Sequence, residues 1–311
     1  MKYTKSSLSI VDQIERLKSR GLTFNDEEKA AHTLSNISYY RLRAYTYPFQ
    51  DNENVNHPFK EHISFEEILQ LYYFDAKLRR LVFEALENIE VALRTQIIYH
   101  MSLAYGSHWM TEEDQFINSR FYNSNLISIK EELNRSKETF INHYKQKYNE
   151  PQLPPSWMSL EVVSMGLLSQ VFSNIKPFQP KRDIQTHFGH KRDSIFKSWI
   201  HSFVGLRNIC AHHGRLWNRR FTIRPTLPTN SIFHFLDNSE ITNNKLYAML
   251  SCLNYTLRCI QPDSDWLTRI KTHLVSCPLA NLHHMGFPDS WESERLWEDN
   301  KHFIPIIKNN L

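Results

Sequence analysis

Glycine is scarce in this chain. Only seven glycines occur in 311 residues. Tight hairpin turns depend on glycine for positive φ, so this scarcity leaves little material for an antiparallel sheet of short strands. The long stretches without glycine favour helices instead, and we predict an all-α fold.

Paired cysteines, a signal sequence and long apolar runs are also missing. The four cysteines, Cys210, Cys252, Cys259 and Cys277, show no C-x-x-C spacing, and the first residues, MKYTKSSLSIVDQ, lack the apolar core of a secretory signal. No apolar run approaches the roughly 18 residues that span a bilayer. We therefore expect a cytoplasmic protein with no membrane association.

The sequence also lacks the motifs of several enzyme classes. There is no G-x-x-x-x-G-K phosphate loop and no Ser-based hydrolase motif. Two groups contain the residue types of a zinc site: Cys210, His212 and His213, and Cys277, His283 and His284. Neither group has the paired spacing of a structural zinc site, so we expect no metal and no cofactor.

Apolar spacing locates the predicted helices. The central one begins near Ser64, continues without Gly or Pro up to Gly106, and is a single helix or a helix pair. Its apolar residues keep three-and-four spacing, as a buried helical face requires. They are Leu71, Phe74, Leu78, Val82, Ala85, Ile89 and Leu93.

Other helices are predicted on both sides of this one. Spacing and caps place them at 7–17, after Asn25 or Asp26, and within 124–148, 157–175, 193–213, 245–260 and 265–275. Gly214 stands where a C-terminal cap is expected. We divide the chain into an N-terminal helical segment, 1–60, and a helical domain, 61–311, with an inserted helical segment around 110–155.

Three polar residues gather near the end of the 193–213 helix. Asn208 and His212 are four residues apart and share a face, and Arg207 flanks them with a side chain long enough to reach the same patch. A histidine can exchange a proton with a ribose 2′-hydroxyl or a leaving oxygen, and an arginine can stabilise charge on phosphorus. The alternative is structural: Arg207 pairs with a carboxylate, Asn208 is solvated and His212 caps the helix.

The wider sequence around these residues resembles a known family. Residues 205–219, GLRNICAHHGRLWNR, resemble the signature of the abortive-infection Abi family of AbiD/AbiF type, within the HEPN superfamily of helical ribonucleases. The HEPN hallmark is an Arg and a His separated by four to six residues, which Arg207 and His212 fit. Blocks at 8–49, 73–101 and 155–171 are similar to the same family, in the expected order.

The resemblance implies a HEPN-type helical bundle with an N-terminal helical extension. It also implies a metal-independent endoribonuclease of phage defence or of a toxin-like system, with Arg207, Asn208 and His212 as catalytic residues. HEPN proteins commonly pair two such motifs across a dimer interface, and this chain carries one, so we expect a homodimer. The alternative is a non-catalytic RNA-binding protein that holds a small structured RNA through the same motif.

The resemblance also implies supporting residues on the central helix. Many HEPN families place an acidic residue four positions before a basic one on the preceding long helix, and Glu90 and Arg94 fit that spacing. In the functional interpretation Glu90 holds Arg207 or Arg94 in position, with His213 as a further supporting residue. The simpler interpretation is an ordinary ion pair between Glu90 and Arg94, within one helix.

Two basic and aromatic clusters are candidates for RNA binding. The first follows the motif and consists of Arg215, Trp217, Arg219 and Arg220, because Arg binds phosphate and Trp can stack on a base. Its alternative is a solvated helix end with Trp217 in the core. The second cluster is Tyr39–Tyr45, in which we assign RNA contact to Arg41 and Arg43 and core packing to most of the tyrosines. The formal net charge of +4 adds only modest support for a nucleic-acid partner.

Overall fold

The computed structural model describes residues 2, 6–60, 62–228, 235–237 and 240–298. Within these residues the chain forms α-helices, short 3₁₀ turns and isolated β-bridges, with no β-strand. The predicted all-α fold is therefore confirmed. The α-helices are α1 (Ile10–Lys18), α2 (Glu27–Asn36), α3 (Tyr39–Thr46), α4 (Phe65–Tyr105), α5 (Ser119–Arg135), α6 (Thr139–Lys147), α7 (Ser156–Ser159), α8 (Met165–Asn174), α9 (Gln179–His187), α10 (Asp193–Ala211), α11 (Leu246–Ile260) and α12 (Trp266–Leu274).

The chain divides into two compact units. The N-terminal unit comprises Met1–Arg79 and Ile270–Asn281, and the main unit comprises Arg80–Arg269 and Leu282–Leu311. The first division falls inside α4, so its opening turns belong to the N-terminal unit and the remainder to the main unit. The proposed boundary near residue 60 and the insertion around 110–155 stay predictions.

Side-chain caps start the first helices of the N-terminal unit. Ser9 and Asp12 form a reciprocal capping box at α1, and Asp26 accepts the backbone N–H of Lys29 at α2. Inside this unit the Tyr45 hydroxyl donates to the buried carboxylate of Asp75 at 2.6 Å, and Arg79 pairs with the same carboxylate. Burial raises the pKa of the Tyr45 hydroxyl, which keeps it a proton donor.

The central helix α4 is one helix of 41 residues. Ser64 and Glu67 cap its start reciprocally, because the Ser64 hydroxyl accepts the Glu67 N–H and the Glu67 carboxylate accepts the Ser64 N–H. It ends at Gly106, whose φ of 85° is the left-handed conformation of a helix stop. No helix in the described part of the chain combines the length and hydropathy needed to cross a membrane.

The core of the main unit surrounds α10. This helix packs against α8, α9 and α11. Apolar residues at three-and-four spacing form one stripe along α10, and all of them are buried: Ile195, Trp199, Phe203, Leu206 and Cys210. Burial of large apolar and aromatic side chains is the main stabilising contribution to such a bundle.

The structure differs from the predicted helices in three places. No helix is predicted over α9, which contains Pro180 in its first turn, where proline is tolerated. The predicted 124–148 segment is two helices, since the Ser136 hydroxyl accepts the N–H of Glu138 and diverts the backbone between α5 and α6. The predicted 157–175 helix is also broken, and Ser164 caps the start of α8.

Candidate functional site

The residues of the R-x₄-H motif lie at the C-terminal end of α10. Arg207 and Asn208 occupy its last turns, and His212 is the residue that ends it. The N–H of His212 donates to the Asn208 carbonyl oxygen at 3.0 Å, so the helical turn that joins them is complete. Both side chains are exposed. Both side chains are thus accessible to a ligand, and their shared face stays a prediction.

A tight backbone turn follows His212 and fixes where the helix ends. The N–H of His213 donates to Cys210 O at 3.0 Å, and that of Gly214 donates to Ile209 O at 2.7 Å. This is the Schellman pattern, with His213 as its left-handed residue at φ 55°. Gly214 thus takes part in the C-terminal cap through its N–H, while the left-handed residue of the turn is His213.

The close approach of Ile209 favours glycine at position 214. A Cβ atom there would lie 3.0 Å from Ile209 Cγ2 and 3.1 Å from Ile209 O. A side chain at this position would therefore push Ile209 away by a few tenths of an ångström. His213 carries a left-handed conformation that costs a non-glycine residue about 1 kcal/mol, beside the motif itself.

Helix α4 holds the Arg207 side chain from two directions. Arg207 Nε lies 3.9 Å from Glu90 Oε2, and the guanidinium carbon lies 5.8 Å from the centre of the Phe83 ring. Glu90 supplies the opposite charge and Phe83 supplies a cation–π contact. Arg207 Nε is buried without a hydrogen-bond partner, whereas the side chain as a whole is 37% exposed. The guanidinium is thus anchored on one edge and reachable on the other.

Glu90 also belongs to a wider network of charges. Arg94 donates to Glu90 Oε1 and to the carbonyl oxygen of Val163, both at 3.0 Å. Its other terminal nitrogen lies 3.6 Å from Glu161 Oε2. Arg94 is therefore fixed by two hydrogen-bond acceptors and by the charge of Glu161, and Glu90 is shared between Arg94 and Arg207. The structure brings together the two supporting residues inferred from sequence and the arginine of the motif.

Phe83 and Glu161 were missed in the sequence. Phe83 stands seven residues before Glu90 on α4, so two helical turns place it on the same face, which is a usable signal once Glu90 is suspected. Glu161 follows α7 in a 3₁₀ turn and carries no comparable signal. Only the folded chain brings it to Arg94.

Comparison with known protein families identifies the relatives of this chain. The sequence profile described as Abi-like protein matches residues 32–218, more than half of the chain. The chain belongs to the Abi-like family. No curated protein and no solved structure gives a match. Membership of the Abi-like family indicates a role in abortive infection, a form of phage defence. The matched range contains Glu90, Arg94, Arg207 and His212.

In this Abi-like chain the basic cluster after the motif is only partly at the surface. Trp217 is 1% exposed, and the Arg215 guanidinium lies 5.8 Å from the centre of its ring. Arg219 donates to the carbonyl oxygen of Arg215 at 3.2 Å, and Arg220 is exposed. A buried ring cannot stack on a base, so the position of Trp217 agrees with the core alternative. The arginines remain the candidates for RNA contact.

The second cluster lies on α3 in the N-terminal unit. Arg41 is exposed and Arg43 is half-buried. Tyr45 is buried, in agreement with its assignment to the core, while Tyr40 is 81% exposed. Contact of Arg41 and Arg43 with RNA stays a prediction.

No metal site is indicated in the part of this Abi-like chain that the structure describes. No group of three or more His, Cys, Asp or Glu side chains is placed to hold an ion there. Cys210 is buried on the apolar stripe of α10, on the side that faces the core, whereas His212 and His213 are exposed.

Proposed function

We propose that this Abi-like protein is a metal-independent endoribonuclease of the AbiD/AbiF type within the HEPN superfamily, acting in abortive infection or as a toxin. The observation that carries the proposal is the way in which the Arg207 side chain is held. Its guanidinium is held by Glu90 and Phe83 on α4, close along α10 to the exposed side chains of Asn208 and His212. An anchored arginine beside an exposed histidine suits phosphodiester cleavage.

The reaction that fits these groups uses the RNA's own 2′-hydroxyl. The 2′-oxygen attacks phosphorus, the bond from phosphorus to the 5′-oxygen breaks, and the products are a 2′,3′-cyclic phosphate and a 5′-hydroxyl. His212 accepts the proton of the 2′-hydroxyl or donates one to the leaving 5′-oxygen. Arg207 stabilises the negative charge that builds on the phosphoryl oxygens, and Asn208 orients the reacting group. DNA lacks the nucleophile and is not cut in this way.

RNA must also be held next to the reacting groups. Arg215, Arg219 and Arg220 follow the motif directly and are suited to backbone phosphates, with His213 beside them. Arg41 and Arg43 on α3 are proposed as further RNA contacts. We place Trp217 in the core and assign it no contact with a base.

A homodimer completes the proposed site. One chain carries one R-x₄-H motif, so the proposed arrangement brings two copies of Arg207 and His212 together across a two-fold axis. Light scattering at the concentration of the RNA assay measures the mass of the active species. We expect a dimer, and a monomer that still cuts RNA would contradict the composite site.

The second candidate function is RNA binding without cleavage. An exposed Asn208 and His212 next to several arginines could grip a small structured RNA as well as cut one. RNA held through purification raises the absorbance of the protein at 260 nm relative to 280 nm. This measurement distinguishes a stable RNA complex from an enzyme that releases its product.

Cleavage of total RNA in EDTA tests the proposed function. We expect the wild type to cut without added metal, and His212→Ala and Arg207→Ala to lose most of that activity. The control is His201→Ala, because His201 is an exposed residue of the same helix outside the motif. Cleavage that persists in both motif variants refutes the site, and an inactive wild type that retains RNA favours the binding protein.

A further inference from the structure

A polar cleft lies at the start of α10, at the opposite end of this helix from the R-x₄-H motif. It has a volume of about 340 Å³ and is formed by α9 and the first residue of α10, with the connecting segment between them. The charged residues that line it are Lys181, Arg182, Lys191 and Asp193. Since α10 has 19 residues, the cleft lies about 28 Å from His212 along the helix axis.

The only carboxylate of the cleft is already neutralised by neighbouring groups. Asp193 Oδ1 accepts a hydrogen bond from Gln185 Nε2 at 2.5 Å and lies 3.2 Å from Lys181 Nζ. Asp193 Oδ2 lies 2.7 Å from Lys197 Nζ. The buried Lys181 ammonium also donates to Ile175 O at 2.8 Å. Asp193 and Lys181 thus neutralise each other's charge, and their ion pair joins α9 to α10.

The remaining cations of the cleft are available to a ligand. The exposed side chains of Arg182 and Lys191 form no ion pair or hydrogen bond within the described residues. Helix α10 starts beside Lys191 with no side-chain cap on its first turn, so its N–H groups add positive potential at this end. The two cationic side chains and the N-terminal end of α10 therefore both favour the binding of an anion in the cleft.

His190 gives the independent indication that a ligand belongs here. It lines the same cleft and is only 2% exposed, yet neither of its ring nitrogens has a hydrogen-bond partner. The ring packs against Phe196, Trp199 and Tyr255, which offer it no such partner. A buried polar group without a partner costs roughly 1–3 kcal/mol, and a ligand oxygen in the cleft would supply one.

We propose that this cleft binds a phosphate monoester, either a free nucleotide or the terminal phosphate of an RNA. Arg182 and Lys191 pair with the phosphate oxygens, and His190 donates a hydrogen bond to one of them. A dianionic group matches two unpaired cations better than a carboxylate does. The volume suits a phosphate with one attached sugar and base. This site is separate from the reacting groups, so its test does not depend on ribonuclease activity.

Isothermal titration with AMP and with inorganic phosphate tests this site on the full chain. We expect saturable binding of AMP that inorganic phosphate displaces. Lys191→Ala and Arg182→Ala should each weaken binding about tenfold. The matched control is Lys130→Ala, which removes an exposed lysine of α5 outside the cleft. No saturable binding at millimolar AMP or phosphate, or an equal loss in Lys130→Ala, overturns the proposal.

His190→Phe tests the buried ring separately from surface charge. Phenylalanine keeps an aromatic ring in the same surroundings and removes both nitrogens, so we expect a folded variant with weaker phosphate binding. Its melting temperature is measured alongside. If this variant does not fold, Lys191→Ala and Arg182→Ala decide the outcome. The site is refuted if a folded His190→Phe variant and the Lys191→Ala variant each bind phosphate with wild-type affinity.

The two sources of phosphate are separated with short RNAs in a His212→Ala background, in which the RNA stays intact. A 5′-phosphorylated RNA and its 5′-hydroxyl counterpart each compete with labelled AMP. A preference for the phosphorylated RNA identifies an RNA end as the ligand. Equal competition by the two RNAs, with AMP binding retained, identifies the free nucleotide.

Discussion

Replacing Glu90 with glutamine removes the charge that holds Arg207 while keeping the shape of the side chain. Glu90 Oε2 lies 3.9 Å from Arg207 Nε, and Glu90 Oε1 lies 3.0 Å from Arg94. Arg94 keeps its hydrogen bond to Val163 O in the variant, so the network is not dismantled. Arg207 keeps only the cation–π contact with Phe83.

The size of the effect follows from this distance and from exposure. Two unit charges 3.9 Å apart attract with about 4 kcal/mol at an effective dielectric constant of 20. The Arg207 side chain is 37% exposed, so solvent screens the pair, and we reduce the expected contribution to about 1 kcal/mol. If Arg207 acts in the transition state, kcat should fall about fivefold while KM changes little.

A double-mutant cycle measures whether Glu90 acts through Arg207. Single-turnover cleavage rates are compared for the wild type, Glu90→Gln, Arg207→Ala and the double variant. We expect Glu90→Gln to cause no further loss once Arg207 is absent. The control is Glu87→Gln, an exposed carboxylate on the same helix. Additive losses in the double variant, or an equal loss in Glu87→Gln, refute the positioning role of Glu90.

Three further predictions concern stability and RNA binding. Burial lowers the pKa of His190 to about 3 from an ordinary 6.5, so the unfolded chain takes up a proton that the folded chain excludes. The neutral His190 side chain therefore makes its full contribution to stability above pH 6.5, and acidification to pH 5 lowers the free energy of unfolding by about 2 kcal/mol. Urea unfolding at pH 7 and at pH 5 measures this loss, and we expect the loss to be smaller in His190→Phe. Gly214→Ala should lower the free energy of unfolding by about 1–3 kcal/mol, because the new Cβ meets the Ile209 carbonyl oxygen; an unchanged urea midpoint would contradict this close approach. Arg219→Ala and Arg220→Ala should each weaken RNA binding and reduce its salt dependence, measured by fluorescence anisotropy, and an unchanged salt slope excludes phosphate contact.

The starts of several helices were predictable because local side chains determine them. Ser64 and Glu67 form their capping box within four consecutive residues, and Asp26 caps α2 through a neighbouring N–H. The buried stripe of α10 follows from spacing alone. The missed helix α9 shows the limit of such rules, because Pro180 is compatible with both a helix boundary and a first turn.

The site was predictable in its parts but not in its assembly. Sequence pattern and family resemblance together predict Arg207, His212 and Glu90 as site residues. The contacts of Arg207 with Phe83 and of Arg94 with Glu161 join distant segments, and their packing is decided by the whole core. The burial of Trp217 has the same origin, since an aromatic residue beside arginines suits both a core and an RNA surface.

In the proposed reaction His212 takes part in cutting RNA through the 2′-hydroxyl. Its most direct test is the cleavage of one defined RNA in EDTA, with the product ends identified by mass spectrometry for the wild type, His212→Ala and His201→Ala. We expect 2′,3′-cyclic phosphate ends from the wild type and from His201→Ala, and a rate about 100-fold lower in His212→Ala. The same strand made as DNA should not be cut. Wild-type rates in His212→Ala, or 3′-hydroxyl ends from the wild type, would contradict it.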